Sequence, residues 1–211
     1  MNYGSPEGAF SGRDGIEEAL KRLNAKMVYA GLKPVELVSC GGASLNLLGW
    51  VSRSTSDVDI ICLARVDASG KLRLRPDMDV SAEFIGLVAE VGRELGIREE
   101  WLNFGPAPLV KFGLPAGLAG RLKRRSFGRC LTLHLLSRLD QIHLKIYAAT
   151  DPKTRMETHL GDLLDLAPTR SEAQAAVRWL LNRKTSAAFR HRLRQVLDRI
   201  GHEGLAKKLS S

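Results

Sequence analysis

The chain has 211 residues, 44% of them hydrophobic, and a formal net charge of +9. That length and apolar fraction suit one folded domain, or a core domain with an appendage, and the chain has neither an internal repeat nor a low-complexity tract. No apolar run approaches the ~18 residues of a membrane span, MNYGSPEGAF lacks a charged-then-apolar signal pattern, and Cys40, Cys62 and Cys130 have no metal-ligand or redox spacing, so a reducing, cytoplasmic setting is expected and zinc is not.

In chain order, the first ten or so residues, rich in Gly, Ser and Pro, read as flexible. Ile16, Ala19, Leu20, Leu23 and Met27 recur at helical spacing and predict a helix from about Asp14 to Ala30, with Asp14 and Glu17 spaced as a capping box. Gly31 and Pro34 close it and open a strand, VELVSC (35–40). Next comes GGASLNLLGWVSRSTSDVDI (41–60), read as a Gly-Gly turn, a helix beginning near Ala43, a basic and hydroxyl-rich loop, and an apolar strand carrying Asp57 and Asp59. DASGK (67–71) predicts a hairpin turn and LRLR (72–75) its return strand. A helix over about Ser81–Leu95 follows, then a segment, 101–117, broken by three prolines and three glycines, with a loop or short strand at Leu109–Phe112.

RLKRRSFGR (121–129) is a basic cluster holding Arg121, Lys123, Arg124, Arg125 and Arg129, and LTLHLLS (131–137) reads as a strand. From Arg138 on the pattern is helical, with helices from Arg138, over Glu157–Leu166, from Ser171 and over Ser186–Ile200. The fold class implied is α+β: a small mixed sheet flanked by helices over 1–137, then a basic helical region over 138–211. Residues 170–211 carry 10 Lys/Arg against 3 Asp/Glu, whereas 1–169 carry 22 against 20. Such clustering is the footprint of a polyanionic partner or a solvated helix face, and the lack of interleaved aromatics weighs against single-strand stacking.

The stretch 41–60 holds the chemistry. Gly41 and Gly42 let the backbone approach phosphate oxygens closely. Asp57 and Asp59, two positions apart on a strand, send their carboxylates to one face, an arrangement that suits Mg²⁺ or Mn²⁺; alone, such a pair is more often a solvated edge than a metal site. Ser44 is placed to bond a phosphate or its own backbone, and Arg53 and Thr55 sit in the loop that would face it. Lys145, in HLKIYAA, either snorkels to solvent or points into a cleft, while Asp162 and Asp165 share a helix face, where an acid also balances a helix dipole. His134 and His159 are weaker candidates, and Trp50, Trp101 and Trp179 read as packing residues.

Gly41, Gly42, Ser44, Leu45, Gly49, Arg53, Thr55, Asp57 and Asp59 together resemble the polymerase-β-like nucleotidyltransferases, and more closely the bacterial subgroup of AbiEii-type toxins and their relatives. RLDQIHLKIYAATD (138–151) and HLGDLLDLAPTRSEAQAAVRWL (159–180) resemble that subgroup's later segments, so the likeness spans about residues 35–180. The resemblance implies a minimal nucleotidyltransferase core, Mg²⁺ or Mn²⁺ on Asp57 and Asp59, Lys145 on the nucleotide phosphates and Asp162 completing the site, with the C-terminal helices closing the cleft. It implies transfer of a nucleoside monophosphate from an NTP to a hydroxyl, with RNA, such as a tRNA end, as first acceptor and a protein side chain as second. Arg121, Lys123, Arg124 and Arg125 are the candidate nucleic-acid contacts, and a cognate antitoxin or a second copy of the chain the candidate protein partner. The chain departs from the family in one place: strand 131–137 carries His134 and no acid, which leaves open a non-catalytic nucleotide- or RNA-binding relative, or an adaptor in a toxin–antitoxin or phage-defence pair.

Overall fold

The computed structural model describes residues 8–77, 79–183 and 186–209. Among them it is a mixed α+β fold, with a six-stranded mixed sheet and ten helices. No helix in this set is long and apolar enough to cross a membrane. Contacts divide the chain into two compact units, Met1–Ser137 and Arg138–Ser211.

The first unit begins with α1 (Arg13–Tyr29), whose Ile16, Leu20, Leu23 and Met27 are fully buried. Residues 1–7 of the N-terminal stretch lie outside the described residues. Phe10 is buried, its N–H donates to the Thr55 carbonyl (2.8 Å) and its ring meets Trp101 edge-on, so this end of the stretch is pinned and not loose. The sheet runs β3-β2-β1-β6-β5, from β1 (Val35–Cys40), β2 (Val58–Val66), β3 (Leu72–Arg75), β5 (Lys123–Ser126) and β6 (Leu131–Leu135). β1 pairs antiparallel with β2 and parallel with β6, while β4 (Leu102–Asn103) joins β2 in parallel off the main path. In the hairpin between β2 and β3, Asp67 accepts from the Ser69 hydroxyl, Arg73 and the Lys71 N–H, and these bonds hold its carboxyl well below the usual range. The free thiols of Cys40, Cys62 and Cys130 are buried; burial pushes the Cys62 thiol up to about 12, where it is inert.

Three local features differ from the sequence reading. Gly41 and Gly42 open α2 (Gly41–Leu47), which starts two residues before the expected Ala43, with Gly41 at φ +76°. Leu109–Phe112 is neither loop nor strand but lies in α4 (Pro108–Phe112), which opens with proline at a position where the missing N–H costs no helical bond. Part of the basic cluster is the edge strand β5, and Leu118–Arg121 before it is the short α5.

α3 (Ala82–Leu95) is capped by the Ser81 hydroxyl, which accepts from Phe84 N–H, and ends at Gly96 in the left-handed region. It packs on α1 through Phe84, Val88 and Val91, and Lys26 reaches from α1 to Glu90 and Glu94 (both 2.7 Å).

The second unit is helical. α6 (Arg138–Thr150) is packed by α7 (Met156–Leu166), α8 (Arg170–Leu181) and α9 (Ala187–Arg199), and α10 (Glu203–Lys207) folds back on α9. Thr169 and Glu172 form a reciprocal capping box at the start of α8, one residue before the sequence-predicted opening at Ser171. The Arg138 guanidinium binds Glu172 and the Leu166 and Ala167 carbonyls, tying the first turns of α6 and α8 to the end of α7.

Two glycines of α3 give a paired test. A Cβ on Gly92 would stand 2.6 Å from the Arg98 carbonyl oxygen and 2.9 Å from Glu99 Cα, both backbone atoms, whereas Gly86 has nothing within 4 Å. In urea denaturation, Gly92→Ala is expected to lose about 1–3 kcal/mol and Gly86→Ala to gain about 0.5–1 kcal/mol.

Candidate active site

Val58 and Ile60 are fully buried on β2, and the flanking Asp57 and Asp59 are half-buried: the alternation of an extended chain, although Asp57 precedes the first strand residue. Cys40, the last residue of β1, is register partner to Asp59, so the chain leaving β1 turns directly over that carboxylate. Gly41 has φ +76°, and a Cβ there would overlap Asp59 Oδ2. A Cβ on Gly42 would stand 2.8 Å from Arg53 Nη2 and 3.0 Å from Thr55 Oγ1. Glycine is required at Gly41, where a positive φ coincides with the Asp59 carboxylate, while a side chain at Gly42 would make Arg53 and Thr55 give way. Within two residues of backbone, an acid faces one glycine, and a guanidinium with a hydroxyl faces the next.

The loop from Arg53 to Asp57 is tied down at several points. Asn46 Nδ2 donates to the carbonyls of Gly42 (3.0 Å) and Arg53 (3.1 Å), joining α2 to the loop. Arg53 Nη1 donates to the Ser54 carbonyl (2.9 Å), Thr55 Oγ1 to the Asp57 carbonyl (3.4 Å) and Ser56 Oγ to Asp57 Oδ2 (3.2 Å). Asn103, on β4, donates from Nδ2 to Asp59 Oδ1 (3.4 Å). The sequence reading missed both Asn46 and Asn103. Asn46 stands out only as an amide inside an apolar helix, and Asn103 only as an Asn two residues before a glycine.

Asp59, beside the bare Cα of Gly41, and Asp57, two residues before it on the same extended segment, are the carboxylates that would hold a divalent cation, which takes one or two protein carboxylates and completes its shell with phosphate oxygens and water. Among the described residues no group of three His, Cys, Asp or Glu side chains could hold a metal ion. Continuing the β1–β6 register by one residue, the β6 position level with Cys40 is the buried Leu136. His134 lies one row back, with Nε2 3.0 Å from Glu36 Oε2. The strand thus supplies no third acid beside Asp59, and His134 is engaged with Glu36.

Other sequence candidates have different surroundings. Ser44 is fully buried with Oγ 2.8 Å from Ser39 Oγ; it ties α2 to β1, which corrects its assignment as a phosphate contact. In the basic cluster, Lys123 and Arg124 are exposed on β5 and Arg121 is half-buried on α5. Arg125 is engaged internally, with Nη1 on the Leu47 carbonyl (2.9 Å) and Nη2 on Glu17 (2.5 Å), a correction to its reading as a nucleic-acid contact. Lys145 neither snorkels nor stands alone: its ammonium pairs with Asp162 at 2.5 Å, with the two side chains 7% and 0% exposed. Asp165 is exposed, and His159 is half-buried one turn before Asp162 on α7. Trp101 and Trp179 are packing residues, the latter against His143 and Tyr147 with Arg183 over its ring.

Two tests separate these roles. Gly49 shares a positive φ (+72°) with Gly41 but has nothing within 4 Å. Gly41→Ala is therefore expected to destabilise the fold more than Gly49→Ala in urea denaturation, since both carry the left-handed strain and only Gly41 meets Asp59. For the buried ion pair, Lys145→Met or Asp162→Leu alone leaves an uncompensated charge and is expected to cost about 3–5 kcal/mol in urea denaturation, most of it regained in the double variant.

Compared with family models, with curated proteins and with solved structures, the chain matches none.

Proposed function

We propose that this protein is a metal-dependent nucleotidyltransferase of the polymerase-β-like kind, resembling the AbiEii-type subgroup, which moves a nucleoside monophosphate from an NTP to a hydroxyl acceptor. One observation carries the reading: the adjacent glycines Gly41 and Gly42 are faced by Asp59 and by Arg53 with Thr55. A triphosphate chelated to a cation needs this pairing, a carboxylate for the cation and a planar cationic fork for phosphate oxygens.

In this reading the acceptor oxygen bonds to the α-phosphorus as the bond to the bridging oxygen breaks, pyrophosphate leaves, and the hydroxyl proton is lost to solvent. Asp57 and Asp59 would hold Mg²⁺ or Mn²⁺, which when bound supplies charge neutralisation for the phosphates and orients them. Arg53 and Thr55 offer donors to phosphate oxygens, and the glycines keep side chains out of the space the phosphates need. Asn46 holds the Arg53 loop against α2, so these donors are placed before substrate arrives. Lys145 and Asp162, which the resemblance would add to the site, form a buried ion pair within the second unit.

RNA is the favoured acceptor class, on the net charge of +9 and on Lys123 and Arg124, exposed on the edge strand; a protein hydroxyl is the second. Incubation with each labelled NTP, Mg²⁺ or Mn²⁺, and total cellular RNA and protein is expected to label RNA, and Asp59→Asn to abolish the label. A non-catalytic nucleotide- or RNA-binding role is favoured by one feature, that β6 (Leu131–Leu135) carries no Asp or Glu. Nucleotide-dependent stabilisation with no label in either fraction would select it.

A further inference from the structure

We infer that Asn103 is a positioning residue for Asp59, dividing the work of its two carboxylate oxygens; the inference rests on the metal-binding part of the function proposed above. β4 consists only of Leu102 and Asn103, and its pairing with β2 sets Asn103 opposite Asp59. So short a strand is held from outside. Trp101 is fully buried, its Nε1 donates to the Val88 carbonyl on α3 (2.9 Å), and its own carbonyl accepts from Val58 N–H (2.5 Å). Leu102 is 3% exposed. The backbone carrying Asn103 is thus anchored on both sides, to the helix layer and to the strand that bears Asp59.

The amide orientation follows from its neighbours. Asn103 Oδ1 accepts from Gly105 N–H (2.8 Å), which only an oxygen can do, so Nδ2 is the end turned to Asp59 Oδ1. The other oxygen, Oδ2, lies over Gly41. One oxygen is therefore held by a neutral donor, and the other is directed to the glycine face where phosphate and cation would meet. Groups that orient a ligating carboxylate in this way typically change metal affinity or activity by about 10–100-fold when removed. At 3.4 Å the Asn103 bond is long, which places the effect at the lower end of that range. Because Asn103 is neutral, it steadies Asp59 without adding a third negative charge.

Asn103→Asp and Asn103→Ala separate the two jobs of the amide. Asn103→Asp keeps an oxygen for Gly105 N–H, so the turn is retained, while the donor to Asp59 becomes a carboxylate that a cation could use. Asn103→Ala loses both. Mn²⁺ binding, read by electron paramagnetic resonance with an uncleavable α,β-methylene nucleotide present, is expected to weaken about tenfold in Asn103→Ala and to tighten in Asn103→Asp. Where label transfer is measurable, Asn103→Ala should lower kcat with little change in the KM for NTP. Mn²⁺ affinity equal to wild type in both variants overturns the inference, as does a wild-type protein that binds no Mn²⁺. If wild type transfers label while the variants bind Mn²⁺ normally, the positioning role falls and the transferase reading stands. If the variants shift Mn²⁺ binding but wild type labels no acceptor, the transferase reading falls and the positioning role stands.

Discussion

β1 and β2 pair antiparallel with a slip in register: Val38 lies opposite Cys62, but Ser39 lies opposite Ile60, leaving Ile61 as the extra residue. Without that bulge Cys40 would face Ile60, and the chain entering α2 would pass over an apolar side chain. With it, Cys40 faces Asp59, and Gly41 comes down on the carboxylate. A one-residue change of register exchanges the two faces of a strand, which is why a single extra residue decides whether an acid or an isoleucine meets the glycines. The close approach, with the positive φ, then excludes a side chain at Gly41.

The rest of the first unit keeps that arrangement rigid. The helix layer of α1 and α3 covers one sheet face through Leu23, Met27, Phe84 and Val88, fixing Leu37, Val58 and Ile60 beneath it. Phe10 closes against Trp101, and the backbones of both residues bond the segment just before β2 or its first residue. Arg125 ties the edge strand β5 to α1 and to the end of α2. Each of these links bears on a segment that holds Asp59, Arg53 or the glycines, so the site rests on secondary structure at its base and on bonded loop at its rim.

The second unit uses charge differently. Arg138, Arg192 and Arg199 are all engaged within it, with Arg138 on Glu172 and the end of α7, Arg192 on the Thr150 and Asp151 carbonyls, and Arg199 on Glu157 in a two-pronged pair. The net charge of this region therefore overstates the cationic surface it presents. Lys145 and Asp162 are the extreme case, a pair withdrawn from solvent.

Much of the fold could be read directly. The strand at Val35–Cys40 was legible from its alternation and preceding proline, and the hairpin from DASGK. The helix at Ala82–Leu95 showed in its apolar spacing. The residues that meet at Gly41 and Gly42, namely Asp59, Arg53 and Thr55, stood together in one sequence stretch, because close backbone approach restricts residue type. Less was legible where residue type is ambiguous: KRRS gives no sign of a strand, since an edge strand needs only one neighbour, and Arg125 looked like its exposed neighbours until Glu17 and the Leu47 carbonyl were found beside it. Ser44, Asn46 and Asn103 owe their roles to partners brought near by chain folding. Local chemistry and periodicity therefore account for the elements and for the residue types of the site. The bulge that sets Asp59 against Gly41, the latch from Asn103 and the pairing of Lys145 with Asp162 come from long-range packing, because register and burial depend on contacts that no local pattern encodes.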